Sequence, residues 1–587
     1  MQRLLTVAVL ATALAAPCLA LTQDDLGRGD KLRVVVDKVL MASNKWVMTE
    51  DHVREIAQAG FNVLSPRLGN DDMAEVRKIA SLADKYGIFH LPWMRGSLAT
   101  TTGVKMVWAD GSEQDIYSPN ADEFWRWTEE LILKYAEIST EHSSLFGVFL
   151  DYENYASGSK GGNCYGLSYD TKILGDFAQA KGIALPELAA DRRYPWLKEQ
   201  GLHDEFEAFQ INHWRERCRA LRQAVDAINP RFQFCVYPAP GTLFMTEAVW
   251  PEWATEQAPL ILADATTYGR PTGMMPHREA LQANREALSA NLRTAQQSGL
   301  PIIYMGGIDP VVQGADPEFS GKNAVMCADA TDGYWIFYEG PTYTRQDHAD
   351  YWKWFTWANG KIATGNFAAQ YEPRETTDEC GATELVKQTD KPQLGVYGLK
   401  AHMREMIEKE GTFEIHELGS MAPGYLSGFD AIVLQNFNVT LAYQSEWVQA
   451  FRQYVREGGS LLLGHDTAWF MDSPFPEIAV RDIPTQRVEA ERHVVETDLR
   501  VVARPRSLGG VAIGTQFASA FRDHMIFKAG RSGVTAIENT FGDPVYVLGL
   551  FGRGKVAFSG CYYGYTKELE GTERRVFFGL LDWLRDK

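Results

Sequence analysis

Two carboxylates stand two positions apart at the point where a short apolar run ends. Residues 146–155 read Phe-Gly-Val-Phe-Leu-Asp-Tyr-Glu-Asn-Tyr, so Asp151 and Glu153 follow the apolar residues directly. Side chains alternate between the two faces of a strand, which predicts that both carboxylates point the same way where this strand stops. Two negative charges so close together in a partly desolvated cleft should raise the pKa of one acid and make it a proton donor.

Glu153 lies further along the strand and is the candidate proton donor, with Asp151 remaining ionised beneath it. A structural interpretation competes with this one. Either acid could cap the following loop or pair with Arg67 or Arg95.

Strand-like segments recur eight times between residues 31 and 341, with amphipathic helical stretches between them. The predicted strands are Leu32–Met41, Phe61–Leu68, Ile88–Met94, Leu145–Glu153, Arg231–Pro238, Leu260–Tyr268, Pro301–Ile308 and Gly333–Glu339. The clearest predicted helices are Glu50–Ala59, Asp71–Tyr86, Ala121–Ile138, Glu205–Ile228 and His277–Ser298, and Asp347–Asn359 should close the unit. This alternation predicts an α/β fold of the (β/α)8 TIM barrel type rather than an open doubly wound sheet.

The predicted domain organisation has four parts. We expect a signal peptide over residues 1–20, a barrel over 28–360, a linker or small β element over 361–390, and a second α/β domain over 391–587. Long insertions follow the fourth strand (Ala156–His203) and the seventh (Asp309–Asn323). Loops at the C-terminal ends of barrel strands build active sites, so these two insertions should form the walls of a cleft.

The N-terminal sequence predicts the compartment of the protein, and its net charge excludes some classes of partner. An apolar run from Leu4 to Ala16 precedes the small-residue signal Cys18-Leu19-Ala20, a pattern typical of secretory signal peptides, so we expect a secreted or periplasmic protein. The net charge of −18 disfavours nucleic acid and anionic membranes as partners. No later segment approaches the roughly 18 uninterrupted apolar residues that span a bilayer, so no membrane insertion is expected.

The cysteines give no support for a metal site. Of the seven in the chain, Cys164, Cys218, Cys235, Cys327, Cys380 and Cys561 follow the predicted signal peptide, without Cys-x-x-Cys or Cys/His grouping. We therefore predict no metal and no cofactor. Disulfides could form in an oxidising compartment, but the sequence does not pair them.

The residues at the C-terminal ends of the eight predicted strands share one chemical theme, since acids, tyrosines and tryptophans dominate without His or Cys. The candidate substrate-binding residues are Asp37, Arg67, Trp93, Arg95, Asn154, Tyr237, Tyr268, Tyr304, Asp309, Trp335 and Glu339, and the candidate catalytic residues are Asp151, Glu153 and Asp264. Such a set suits glycosidic bond cleavage, which needs a proton donor and a negative partner for an oxocarbenium-like centre. A carbohydrate is the expected substrate.

A family resemblance is carried by the same segments. Leu150-Asp-Tyr-Glu-Asn-Tyr155 resembles the fourth-strand signature of chitinases (family 18 glycoside hydrolases) and, more closely, of hyaluronidases (family 56). The later barrel strands are similar to the hyaluronidase pattern at Phe234-Cys-Val-Tyr-Pro238, Ala265-Thr-Thr-Tyr268, Leu300-Pro-Ile-Ile-Tyr304 and Asp332-Gly-Tyr-Trp-Ile-Phe337. Phe146 and Phe149 stand where the chitinase motif carries two further acids.

The resemblance implies a retaining, substrate-assisted mechanism on a polysaccharide or glycan that contains N-acetylhexosamine. Glu153 would be the general acid, and Asp151 would orient a 2-acetamido group whose carbonyl oxygen attacks the anomeric carbon. Tyr237 and Tyr268 would hold that group, and Trp335 would form the floor of the −1 subsite.

Three alternatives stay open. Asp151 could be a covalent nucleophile with Asp264 as acid/base, the arrangement of family 27 and 36 α-galactosidases, on a sugar without an acetamido group. Glu339 or Asp309 could be the nucleophile opposite Glu153. The chain could also be a non-catalytic scaffold that binds glycans.

A second α/β unit begins near Lys391. Its predicted strands are Leu394–Tyr397, Phe413–Leu418, Ala431–Gln435, Ser460–Gly464, Val545–Leu550 and Lys555–Ser559, with a closing helix at Thr572–Arg585. Phe429-Asp-Ala-Ile-Val-Leu and Gly458-Gly-Ser-Leu-Leu-Leu-Gly-His resemble the class I glutamine amidotransferase-like fold, and the unit is similar to the domain of that fold in family 42 β-galactosidases, where it mediates oligomer contacts. The elbow after the central strand offers Gly464-His465-Asp466 instead of a nucleophilic Cys, and Cys561 follows a later strand. We therefore expect a non-catalytic domain through which the chain forms a homo-oligomer.

Overall fold

The structure is a computed structural model. It describes residues 22–37, 48–96, 98–99, 102–153, 165–271, 275–309, 315–338, 345–373, 382–435, 437, 441–467, 474–482, 494, 497–503, 508–521, 523–565 and 568–586. Within these ranges, we find no helix with the length and apolar character that crossing a membrane requires.

The first part of the chain alternates strands and helices. In chain order its elements are β1 (Leu32–Asp37), α1 (Glu50–Gln58), β2 (Val63–Pro66), α2 (Met73–Tyr86), β3 (Phe89–His90), β4 (Trp93–Arg95), β5 (Lys105–Val107), β6 (Glu113–Tyr117), α3 (Asp122–Glu141), β7 (Gly147–Asp151), α4 (Thr171–Lys181), α5 (Ala190–Glu199), α6 (His203–Asp226), β8 (Gln233–Ala239), α7 (Trp250–Trp253), β9 (Leu260–Asp264), α8 (His277–Gln297), β10 (Ile302–Ile308), α9 (Pro317–Ala330), β11 (Gly333–Tyr338) and α10 (Arg345–Ala363).

Parallel pairing closes these strands into a barrel. The order is β3-β2-β1-β11-β10-β9-β8-β7-β4. β3 and β4 are two halves of one barrel position, interrupted at Pro92, which has no N–H to donate. The ring closes where His90 bridges to Leu145 and where Arg95 pairs with Asp151. The fold is therefore a (β/α)8 barrel, as the strand and helix pattern predicts.

Strict alternation along each strand separates an inner layer of side chains from an outer one. Val34, Phe149 and Ile261 pack with other inward residues in the barrel interior. Their neighbours Val35 and Leu150 pack outward against the helices. A residue's position along its strand thus decides whether it can reach the barrel mouth.

Helix α9 corrects one prediction, because residues 309–323 were expected to form a loop insertion. Asp316 caps the helix by accepting from the Phe319 amide at 2.8 Å, and Pro317 occupies its first turn. Every residue from 318 to 328 is buried, including the ion pair between Glu318 and Lys322 at 2.8 Å. A helix buried on all sides has no amphipathic pattern for the sequence to display.

The insertion after the fourth strand also contains regular structure. The described part of residues 156–203 includes α4 and α5, while residues 154–164 lie outside the description. A short antiparallel hairpin, β5–β6, precedes α3 and was not predicted. Both features lie on the C-terminal side of barrel strands, where barrel enzymes build their clefts.

The second domain combines a parallel core with antiparallel strands. Its elements are β12 (Gln393–Tyr397), α11 (Ala401–Glu410), β13 (Glu414–Glu417), α12 (Pro423–Leu426), β14 (Ala431–Gln435), α13 (Leu441–Arg456), β15 (Ser460–Gly464), β16 (Ala479–Asp482), β17 (Asp498–Val501), β18 (Gln516–Ala518), β19 (Ile526–Ala529), β20 (Gly533–Asn539), β21 (Pro544–Phe551), β22 (Gly554–Ser559) and α14 (Gly571–Arg585). Strand order in the main sheet is β13-β12-β14-β15-β22-β21-β20-β17-β18. The six predicted strands are present, whereas strands β16 to β20 were not anticipated.

The described cysteines are free thiols. Cys218, Cys235, Cys327 and Cys561 are buried and unpaired, and the remaining candidates Cys164 and Cys380 lie outside the described residues. Between the two domains, the described chain after α10 forms a short 3-10 turn at Phe367–Tyr371.

His90 creates a pH dependence in the barrel wall. Its ring is fully buried, neither ring nitrogen has a hydrogen-bond partner, and burial lowers the pKa to about 3. In the unfolded chain this imidazole takes up a proton once the pH falls below about 6.5. In the folded protein the ring stays neutral until the pH approaches 3. Folding stability should therefore fall as the pH drops from 6.5 towards 3.

We predict that His90→Leu removes this dependence. Relative to the parent protein, the variant should gain about 2 kcal/mol in the free energy of unfolding when the pH is lowered from 7 to 5, because about 1.4 kcal/mol accompanies each pH unit below the unfolded pKa. Urea denaturation at the two pH values measures this difference. An unchanged difference between variant and parent at both values would contradict the assignment.

Candidate active site

The two acids at the end of β7 lie on the inner side of the barrel. Asp151 has no exposed surface and Glu153 is partly exposed. The Glu153 amide donates to Asp151 Oδ1 at 2.8 Å, which fixes the two residues relative to each other. Glu153 thus faces the mouth of the barrel with Asp151 buried beneath it.

Arg95 connects this pair to the neighbouring strand. Arg95 is in register with Asp151 across β4 and β7, and its Nη1 lies 3.4 Å from Asp151 Oδ2. Its Nη2 donates to the Glu153 carbonyl oxygen at 2.9 Å. The guanidinium therefore contacts the carboxyl of one acid and the backbone of the other.

Arg67 and Trp93 form a second layer at the rim. The Arg67 guanidinium lies 5.0 Å from the centre of the Trp93 ring and 5.1 Å from that of Phe337. Burial raises the pKa of Asp151, and the positive charge of Arg67 partly opposes that rise. Stacking between two rings holds this cation beside the acid pair.

A chain of phenol groups reaches Glu153 from the side of β8, the neighbour of β7 on the side away from β4. Tyr268 donates to the Tyr237 hydroxyl, and Tyr237 donates to Glu153 Oε1 at 2.8 Å. Burial raises the pKa of Tyr268 well above its ordinary value, so this phenol keeps its proton. The direction of donation therefore runs from Tyr268 through Tyr237 to the carboxylate.

Trp335 lies in the barrel interior next to these phenols. Its ring centre is 4.9 Å from that of Tyr237 and 5.8 Å from that of Tyr268, both edge-on. Its indole Nε1 donates to the Asp264 carbonyl oxygen at 2.9 Å. A Cβ at Gly307 would lie 2.8 Å from the same nitrogen, so the absence of a side chain there makes room for the indole.

Burial changes the expected protonation of the pair. It raises the pKa of Asp151 to about 7, because desolvation outweighs the opposing effect of Arg95, and the charge of Glu153 raises it further. The expectation that Asp151 stays fully ionised is therefore wrong, since near neutral pH this carboxyl is protonated part of the time.

Asp264 and Tyr304 do not belong to this site, which corrects two predictions. Asp264 accepts from Asn291 Nδ2 on α8 at 2.9 Å, and the Tyr304 hydroxyl donates to the same carboxyl oxygen. Asp264 alternates with Ala263, which faces the barrel interior, so its carboxyl faces the helical layer. Asp264 cannot act as the acid/base opposite Asp151.

The remaining candidates divide according to what the structure describes. Asp309 follows β10, is buried, and donates its amide to the Tyr268 carbonyl oxygen at 3.1 Å. Asp37 is the last residue of β1, and its side chain is not described. Asn154 and Glu339 lie outside the described residues.

Two inner-face residues of the rim were missed. Phe337 provides the second ring beside the Arg67 guanidinium. Ser65 precedes Arg67 by two positions on the same face of the strand, and it is buried. Counting two positions from Trp335 and from Arg67 would have found both. For metals, the described ranges contain no group of three or more His, Cys, Asp or Glu residues placed to hold an ion.

The chain is similar to known proteins in its fold, whereas its sequence matches none of them. No protein-family model matches the chain, and no curated protein sequence matches it. The similar solved structures include a β-galactosidase from Bacillus circulans sp. alkalophilus (13% identity, TM-score 0.39, covering 94% of this chain and 88% of that one). They also include the α-L-fucosidase isoenzyme 2 of Paenibacillus thiaminolyticus (12%, 0.36, 94% and 84%) and the exo-β-1,4-mannosidase Op5Man5 from Opitutaceae bacterium strain TAV5 (9%, 0.32, 90% and 91%).

We predict that Asp151→Asn stabilises the protein at high pH. Because the pKa of Asp151 is raised from 3.8 to about 7, the folded state binds more protons than the unfolded state between these values, and stability is lost as the pH rises through 7. Asparagine avoids the cost of burying the charge. Relative to the parent, the variant should gain up to about 4 kcal/mol between pH 4 and pH 8, by urea denaturation. A difference that does not change with pH would contradict this assignment.

Proposed function

We propose that the chain is a glycoside hydrolase that cleaves a polysaccharide or glycan at the mouth of its barrel. The observation that carries the proposal is the pair Asp151 and Glu153, one buried and one facing the mouth, with Tyr237 bound to the outer acid. Hydrolysis of a glycosidic bond requires a carboxylic acid to protonate the leaving oxygen and a negative partner for the developing positive charge. Both are present at the carboxyl end of one strand.

Glu153 is the general acid in this proposal. Because Tyr237 donates to Oε1, the acid proton of Glu153 has to sit on Oε2, the oxygen left to deliver it. During bond cleavage Oε2 transfers this proton to the glycosidic oxygen. The Tyr237 hydrogen bond stabilises the carboxylate that results, and Glu153 can then take a proton from the incoming water.

Asp151 supports the reacting group from below. In a substrate-assisted reaction, the carbonyl oxygen of a 2-acetamido group attacks the anomeric carbon, and the amide N–H becomes more acidic. An ionised Asp151 accepts a hydrogen bond from that N–H and balances the charge, and its raised pKa allows it to exchange a proton within the reaction. We therefore propose an N-acetylhexosamine in the −1 subsite and retention of anomeric configuration, as the similarity to families 56 and 18 implies.

Tyr237, Tyr268 and Trp335 form the −1 subsite in this proposal. The two phenols are hydrogen-bonded to each other and Trp335 packs edge-on against both, which gives a rigid wall beside Glu153. Arg95 holds Asp151 from the other side. The alternative with Asp151 as nucleophile and Asp264 as acid/base has no such support, because Asp264 bonds to Asn291 in the helical layer.

The second domain has no evident thiol chemistry of its own. Burial raises the pKa of Cys561 to about 12, so this thiol is not a nucleophile at neutral pH. We propose that this domain is non-catalytic and amidotransferase-like, that it mediates contacts between copies of the chain, and that the protein is exported through its N-terminal signal.

Replacing the proton donor tests the proposal. Glu153→Gln should reduce kcat about 10²–10⁴-fold on a substrate found by screening a polysaccharide panel, because a positioned general acid contributes that much. The loss should be smaller on a dinitrophenyl glycoside, whose leaving group needs no proton. Substrate affinity should change little, as equilibrium binding would show.

Asp264→Asn serves as the matched control, since it also replaces a buried strand-end acid by its amide. It should leave kcat within about tenfold of the parent, because Asp264 does not reach the reacting atoms. Full activity in Glu153→Gln, or an equal loss in Asp264→Asn, would overturn the assignment of Glu153.

A further inference from the structure

Tyr152 stands between the two acids and points the other way. Because side chains alternate along the chain here, Asp151 and Glu153 face the barrel interior while Tyr152 faces the helical layer. Its side chain is buried and packs in the core between the barrel and its helices, together with Leu150. The position of this large ring therefore influences the backbone that carries both carboxyl groups.

Three neighbouring segments hold the backbone on either side of Tyr152. Its amide donates to the Tyr237 carbonyl oxygen at the end of β8, at 2.7 Å. Its carbonyl oxygen accepts from the amide of Tyr165, in the insertion after β7, at 2.9 Å. The Gly96 amide, which follows β4, donates to the Asp151 carbonyl oxygen at 2.5 Å. The insertion thus bonds directly to the residue that precedes Glu153.

The Tyr165 side chain also packs on Tyr152. The two rings are nearly parallel, with an angle of 12° and a distance of 6.1 Å between their centres. Trp214 on α6 lies edge-on to both rings, at 6.0 Å from Tyr152 and 6.1 Å from Tyr165. The Tyr165 hydroxyl donates to the Tyr117 carbonyl oxygen, and Trp214 Nε1 donates to that of Pro119 at 2.5 Å. Hydrogen bonds therefore fix the two rings that surround Tyr152.

Gly96 leaves the space that the Tyr152 ring occupies. A Cβ at Gly96 would lie 2.3 Å from Cδ1 and 2.5 Å from Cε1 of that ring. Atoms cannot approach so closely, so a side chain at this position would push the ring away. Tyr152 is therefore packed against the end of β4 as well as against the insertion.

We propose that Tyr165 is a positioning residue for Glu153 and acts through Tyr152. By holding the ring and the carbonyl of Tyr152, it fixes the next residue, Glu153, at the distance from the glycosidic oxygen that proton transfer needs. A misplacement of about 1 Å can cost on the order of 10²-fold in rate, so small shifts of this backbone matter. The inference rests on the proposed role of Glu153 as general acid, and it gives the insertion after the fourth strand a part in the reaction.

Two substitutions of Tyr165 test the proposal. Tyr165→Phe and Tyr165→Leu both remove the hydrogen bond to the Tyr117 carbonyl, but only the leucine variant loses the flat ring. Tyr165→Leu should lower kcat about tenfold or more on the glycan found by screening, with little change in KM. The loss should be smaller on a dinitrophenyl glycoside, whose leaving group needs no proton. Tyr165→Phe should stay within about twofold of the parent on both substrates.

A second pair of variants reaches Tyr152 from the other strand. Gly96→Ala displaces the Tyr152 ring and should show the same selective loss on the glycan. Gly175→Ala on α4 is the matched control, because a Cβ there has no atom within 4 Å. It should leave kcat on both substrates unchanged. A purely structural role for the ring packing would lower activity on both substrates alike.

The inference is overturned if Tyr165→Leu matches Tyr165→Phe in kcat on the glycan, or if Gly96→Ala matches Gly175→Ala. Equal losses on the glycan and on the dinitrophenyl glycoside would also overturn it, because a displaced proton donor affects only the leaving group that needs a proton. Each of these outcomes leaves the proposed function intact if Glu153→Gln is impaired. Full activity in Glu153→Gln would overturn the proposed function and this inference with it.

Discussion

The buried carboxyl of Asp151 is the constraint around which the barrel mouth is organised. Burying a carboxylate without exposed surface costs free energy. The Glu153 amide at 2.8 Å and the Arg95 guanidinium at 3.4 Å offset part of this desolvation cost. Arg95 comes from β4, which pairs with β7 in parallel and places Arg95 in register with Asp151. The pairing of these two neighbouring strands therefore positions the cation beside the acid pair. The remaining desolvation keeps the pKa of Asp151 near 7, so that burial gives the two carboxyls different roles.

The alternation of side chains explains which site residues the sequence could reveal. Asp151 and Glu153 share the inner face because they are two positions apart, and Trp335 shares it with Phe337. Asp264 and Tyr304 failed as predictions for the same reason. Asp264 ends β9 and Tyr304 lies in β10. In both strands the odd-numbered residues, such as Ala263 and Ile303, face the barrel interior, so the two even-numbered residues face outward. Applying the alternation to every strand, and not to the fourth alone, would have excluded both.

Other features could not be derived from periodicity. Helix α9 is buried on every side and pairs Glu318 with Lys322 inside the protein, so its sequence shows no polar face. The interruption of the third barrel strand at Pro92 depends on hydrogen bonds to two different neighbours. The raised pKa of Asp151 depends on the depth to which closure buries it, which spacing alone does not give.

The protonation of Asp151 is the most direct test of the account, because its raised pKa follows from the burial of this carboxyl next to Glu153 in the closed barrel. Difference infrared spectroscopy between the parent protein and Asp151→Asn isolates the carboxyl stretch of this residue. The account predicts a protonated carboxyl band at pH 6 that is replaced by a carboxylate band at pH 8, with a midpoint near 7. A carboxylate band that persists down to pH 5 would contradict it.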